Sequence, residues 1–297
     1  MPLALSHRRA VVLMVLVTLL WSMAGVVTRH LESAQSVEVT FWRSAANGLS
    51  LALMLSFWRG RAFWGALCRA PRIVWASGLC WSVMFTAFML ALTLTSVANV
   101  LVTMALGPML TAILARVFLG RRLPARTWAA IGLAGLGIAW MFGAELGRGG
   151  AMLGMLVACA VPLAGATNLT LLEHAGGARQ MPDMLPAVML GAGFSAAAML
   201  PLAWPLQAGW HDVGLLTFLG VFQLALPCLL MVWLSRALPA PEIALLALLE
   251  VLFGVLWAWL GADEVPARET LLGGGLVLLA LVGNEVAGAR AQRLQPA

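Results

Sequence analysis

The 297 residues contain no lysine, and all 18 cations are arginine. That absence removes every chemistry that needs a lysine amine: a P-loop NTPase, or a Schiff base to substrate, pyridoxal phosphate or retinal. ATP hydrolysis by this chain is not expected. Histidine is scarce as well. His7, His30, His174 and His211 all fall in expected loops or at helix ends, so no haem, metal or Ser/His centre can assemble at depth. GxSxG, HExxH and Walker patterns are missing, no channel-type filter is evident, and neither an enzyme nor a cofactor is expected. Cys68, Cys80, Cys159 and Cys228 stand singly, without the spacing of a disulfide frame or zinc site, and read as small core residues.

What is present is apolar. Hydrophobic residues make up 62% of the chain and mean hydropathy is +0.95, against roughly half apolar in a soluble domain. A bilayer span needs about 20 largely apolar residues. Windows between charged or Pro/Gly breaks predict ten spans, at 10–29, 37–57, 72–94, 97–119, 126–143, 151–171, 184–203, 213–235, 242–261 and 271–288. Arg8 and Arg9 before an apolar run resemble a secretory leader, but the run is long enough to span and is expected to be retained. With the amino terminus inside, fourteen arginines fall in cytoplasmic segments, three (Arg29, Arg148 and Arg268) in outer ones, and Arg43 within a span. This positive-inside bias predicts both termini in the cytoplasm and accounts for most of the pI near 10.8 without a nucleic-acid partner.

The chain also repeats itself. Met23-Ala24-Gly25 matches Leu163-Ala164-Gly165 at an offset of 140, while Gly78-Leu79-Cys80-Trp81 matches Gly220-Val221-Phe222-Gln223 and Met104-Ala105-Leu106 matches Leu246-Ala247-Leu248 at 142. The collinear order carries the inference of two units, 1–145 and 146–297. Five spans per unit is odd, so the second unit enters from the opposite side. The expected architecture is an all-α membrane protein of two inverted five-helix repeats around a central cavity.

Few polar groups lie at mid-membrane depth. Glu250 in span nine and Arg43 in span two are site candidates, because such groups are costly in lipid and face a bundle interior or wet cavity. Arg43 alternatively snorkels or anchors to carbonyls, and Glu250 alternatively serves as a structural hydrogen-bonding group. Span four carries Asn99, Thr103, Gly107 and Thr111 at successive i+4 positions, with Pro108 beside them able to free a carbonyl; the face reads either as a substrate wall or as close helix packing. Thr18, Ser22 and Gly25 form a similar face beside Trp21. Most of the thirteen Trp fall near span ends, but Trp21 and Trp81 lie deep, as core or as stacking surfaces. Pro162 and Asn168 in span six, with Gln223 and Pro227 in span eight, complete the deep irregular set; interrupted spans point to transporter sites. Gly135, Ala139 and Gly143 read as helix packing.

These residues resemble the drug/metabolite transporter superfamily in its EamA-type ten-helix form. Trp21 and Arg43 match its first and second helices, and Pro108 matches the proline leading its fourth. Gly120-Arg121-Arg122-Leu123 matches the Gly-Glu-x-Leu ending with arginine for glutamate. Glu250-Val251 stands where Glu-Pro is usual, and Asp263-Glu264 keeps the acidic end. The chain is further similar to the bacterial aromatic amino-acid exporters of that superfamily. The resemblance implies export of aromatic and other, mainly neutral, amino acids across the inner membrane by alternating access, with a monomer compatible. The expected cavity is lined by Trp21, Ser22, Trp81, Asn99, Thr103, Pro162, Asn168, Gln223 and Glu250, with Gly107, Pro108 and Pro227 bending the helices. Clustered deep arginines, which a phosphate substrate would want, are absent. A multidrug or cationic-metabolite exporter is the alternative within the class; a non-transporting scaffold or lipid enzyme is the alternative outside it.

Overall fold

A computed structural model describes residues 7–120, 124–145, 151–176, 184–234, 246–247 and 249–293. Arg121, Arg122, Leu123 and Leu248, which carry parts of the expected motifs, lie outside the described residues. Regular structure among the described residues is helical: α1 (His7–Thr28), α2 (Ser36–Arg59), α3 (Ala62–Cys68), α4 (Arg72–Leu94), α5 (Val97–Met104), α6 (Gly107–Leu119), α7 (Ala125–Glu145), α8 (Ala151–Gly176), α9 (Leu185–Ala203), α10 (Trp210–Phe218), a π-helical stretch (Leu219–Ala225), α11 (Leu226–Leu234), α12 (Leu249–Ala262) and α13 (Arg268–Arg293). Eight stretches are long and apolar enough to cross a bilayer, counting α5 with α6, and α10 to α11, as one each. The described part of α12 has 14 residues, and α2 has 24 but is diluted by charge.

α2 is inside-out relative to a soluble helix. Arg43, Ser44 and Asn47 are buried, whereas Leu49 and Leu53 are each 63% exposed and Phe57 88%. Polar groups face protein and apolar ones face outward, the arrangement lipid imposes.

Two expected spans are interrupted. Ser96 caps α5, its Oγ accepting from the Asn99 N–H at 3.2 Å. The helix then tightens at Ala105-Leu106, where the Leu106 N–H returns to the Thr103 carbonyl, and α6 restarts with Pro108 in its first turn. Pro108 has no N–H to offer Met104, so the break falls where the missing donor puts it. In span eight the ladder widens, and the Leu226 N–H reaches back five residues to Val221. This π-helical stretch ends just before Pro227, which likewise lacks a donor.

Packing pairs helices of the first part of the chain with helices of the second. α1 packs on α12 and α11, α2 on α9 and the π stretch, α4 on α8 and α9, α5 and α6 on α8, and α7 on α13. Replacing every helix by its counterpart five spans away leaves this set of pairs unchanged. The sequence-matched glycines obey the same exchange. Gly78 approaches Leu190 and Ala187 of α9; Gly220 approaches Ala46 and Arg43 of α2 so closely that a methyl there would meet the Arg43 carbonyl at 2.8 Å.

Three carboxylates clasp one end of the bundle. Asp212 of α10 accepts from the backbone N–H groups of Glu32, Ser33 and Ala34 at 2.7 to 3.0 Å. Glu38 of α2 accepts from the N–H groups of Gln207 and Ala208 and from Trp42 Nε1. Asp263, in the left-handed region at φ 51°, turns the chain after α12 and aims Glu264 inward. Glu264 accepts from Arg29 Nε at 2.7 Å and from the Val97 N–H at 2.6 Å, while Arg29 also donates to the Leu92 and Thr95 carbonyls.

Candidate functional site

Below this clasp the helices enclose a cavity of about 160 Å³. α4 builds one wall from Trp81, Met84, Phe85 and Phe88, side chains at the i, i+3, i+4 and i+7 positions that share one helix face. Trp81 is set by the tight α4–α9 crossing, where Gly191 leaves no room for a methyl against the Trp81 Cβ, and its ring leans on Phe85 at 5.4 Å. Trp21 of α1, Met104 at the end of α5 and Val161 beside Pro162 add to the apolar lining.

The polar part comes from three elements: Arg43 of α2, Gln223 of the π stretch and Glu250 at the start of α12. Arg43 is 1% exposed, and its Nε and Nη2 both donate to Gln223 Oε1, at 3.1 and 2.7 Å. Gln223 Nε2 in turn donates to the Trp21 carbonyl at 3.0 Å. The widened helix and the glycine contact at Gly220 bring Gln223 up to α2, so one chain of hydrogen bonds links α2, the π stretch and α1.

Trp21, Trp81, Gln223 and Glu250 are thus brought together in one cavity. Ser22, Asn99, Thr103 and Asn168 are not. Asn99 Oδ1 accepts from Thr270 of α13 at 2.7 Å and its Nδ2 donates to Thr95, while Thr103 donates to the Asn99 carbonyl. On α5 these residues make packing hydrogen bonds outside the cavity lining, since a buried amide bonds to the polar partners nearest it. Ser22 donates to the Leu19 carbonyl within its own helix. Asn168 is buried, its Oδ1 unpartnered, away from the cavity lining. Pro162 is buried in an unbroken α8, and its ring lies 4.0 Å from where a methyl on Gly107 would stand. Gly107 and Pro108 do sit at a helix break, and Pro227 at the end of the widened stretch.

In the sequence Arg43 stands out only as one of two deep charges. The aromatic and Met wall of α4 carries a usable signal there, because its spacing is a helical stripe beginning at a deep Trp. Leu224 and Cys228, also in the lining, carry none.

No curated protein matches the sequence. A solved crystal structure, described only as that of a protein, superposes with a TM-score of 0.62 at 19% identity, over 96% of this chain and 99% of that one, a likeness of fold. The model of the EamA-like transporter family matches twice, over residues 8–143 and 152–284. With most of its length covered by those two matches, this multi-pass helical chain belongs to the EamA-like transporter family.

Proposed function

We propose that the protein exports amino acids, aromatic and other mainly neutral ones, from the cytoplasm by alternating access, with broad specificity and no cofactor. The observation that carries this reading is the cavity itself. Its 160 Å³ has room for about five waters at their liquid volume, the scale of one small molecule. Trp21, Trp81, Phe85 and Phe88 offer flat apolar surface to a side chain, and among the described residues Arg43, Gln223 and Glu250 offer polar contact. A single arginine is too little for a nucleotide or sugar phosphate.

The membrane arrangement belongs to the same proposal. α2 and α12 are the remaining two of ten spans, and 1–145 and 146–297 are five-span halves of opposite topology. The exchange-invariant helix pairing and the matched Gly78 and Gly220 contacts support it. Loop arginines then put both termini in the cytoplasm of a bacterial inner membrane, and the clasped end outside.

The test is flux of radiolabelled phenylalanine, threonine and methionine in liposomes holding the purified protein, with and without an imposed pH gradient. Saturable flux of all three is expected, with phenylalanine the best substrate. Flux indifferent to the gradient assigns a facilitator; gradient-dependent flux that Glu250→Gln abolishes assigns the proton to Glu250. Absence of amino-acid flux alongside transport of a quaternary cation would overturn the reading in favour of a drug exporter.

A further inference from the structure

The guanidinium of Arg43 is held from one side only. Gln223 takes Nε and Nη2, and the Phe88 ring lies 5.4 Å from Cζ, but among the described residues Nη1 has no partner, in a residue that is 1% exposed. A buried charged donor is costly to leave open. Glu250 lines the same cavity, and among the described residues no ion pair joins it to Arg43 or to any other cation. Arg43 and Glu250 therefore line one aromatic cavity without a direct salt bridge between them among the described residues. Gln223 keeps the arginine turned this way, because two of its donors are already committed to one amide oxygen.

We propose that the cavity reads a zwitterion at both ends, with Arg43 Nη1 taking the carboxylate and Glu250 taking the ammonium of an α-amino acid whose side chain lies against Trp21, Trp81 and Phe88. The inference rests on the amino-acid reading above and adds what selects the ligand. An amine without a carboxylate leaves the Arg43 donor buried and open, and an acid without an ammonium leaves the half-buried Glu250 without a partner in the cavity. Sites built to bond a polar group reject analogues lacking it far more strongly than apolar pockets reject a missing methylene. Gln223 is a positioning residue, acting through the orientation of Arg43.

The experiment is counterflow of labelled phenylalanine in proteoliposomes, with three unlabelled competitors of one shape: phenylalanine, phenethylamine, which lacks the carboxylate, and 3-phenylpropionate, which lacks the ammonium. The two single-charge analogues are expected to compete at least about a hundredfold more weakly than phenylalanine in the wild-type protein. Arg43→Gln should narrow the gap between phenylalanine and phenethylamine to within a few fold while leaving 3-phenylpropionate excluded, and Arg43→Lys should restore part of it. Phenylalanine counterflow with phenethylamine competing equally well would overturn this inference and leave amino-acid export standing. No counterflow of phenylalanine would overturn both. A variant that weakens all three competitors equally would reduce Arg43 to a structural part and overturn its role in recognition.

Discussion

Gly220→Ala is expected to lower the melting temperature of the purified protein and to cut amino-acid flux by at least tenfold. The added methyl would lie 2.6 Å from the Ala46 Cβ and 2.8 Å from both the Arg43 carbonyl and the Asn47 N–H. Two of those three atoms belong to backbone, so no side-chain rotation relieves the clash and α2 must move away. Alanine in place of a helical glycine gains about 0.5–1 kcal/mol from the backbone, but overpacking a tight contact costs about 1–3 kcal/mol. The contact also sets the Arg43–Gln223 hydrogen bonds, so function should fall further than stability alone accounts for. Gly214→Ala on α10 is the control: nothing lies within 4 Å of the new methyl, and that variant should melt at or above the wild-type temperature. A Gly220→Ala protein that melts and transports normally would show that the close crossing of α2 and the π stretch does not matter.

The second large effect is expected at the clasp. Glu264→Ala removes two hydrogen bonds at once, to Arg29 and to the Val97 N–H, and leaves the Arg29 Nε without its carboxylate. Bonds of this charged kind contribute about 1.5–3 kcal/mol each. The side chains of Arg29 and Glu264 are 28% and 18% exposed, which argues for the lower part of that range. Because the bonds tie α1 and the α4–α5 turn to the loop after α12, losing them favours opening of that end by on the order of a hundredfold. Cys228 in the cavity lining reports it. In a variant with Cys68, Cys80 and Cys159 replaced by alanine, a membrane-impermeant maleimide added from the clasped face should label Cys228 slowly, and at least several times faster once Glu264 is also alanine. Equal rates would mean that the three-carboxylate cluster only braces loops and does not gate the cavity.

Much of the fold is legible in the amino-acid sequence. The bilayer character follows from mean hydropathy and the sparse charge, and span limits such as 72–94 coincide with the helix Arg72–Leu94 because Pro71 and Arg72 open an apolar run that Thr95 and Ser96 close. Pro108 and Pro227 announce the irregular backbone, since a missing N–H is written in the residue type, but whether the chain tightens, as at Ala105-Leu106, or widens, as at Leu219–Ala225, depends on the neighbouring helices. Polar residues at mid-depth are harder to place. Asn99 and Gln223 look alike as deep amides, yet Thr270, 171 residues away in sequence, takes one into a packing face and Arg43, 180 residues away, holds the other at the cavity. The same limit hides the clasp: Asp212, Glu38 and Glu264 read as ordinary charges at helix ends, and only the folding of distant loops over them supplies their partners.

The most direct test of the account is whether substrate occupies this cavity, and Cys228 again provides it. The variant retaining only that cysteine should react with maleimide from the unclasped face, and saturating phenylalanine should slow the reaction at least several fold, while a bulky sugar phosphate at the same concentration leaves the rate unchanged. Labelling that no amino acid slows, although phenylalanine flux persists in the same vesicles, would contradict the account and place the substrate somewhere other than the cavity between Trp21, Trp81, Arg43 and Glu250.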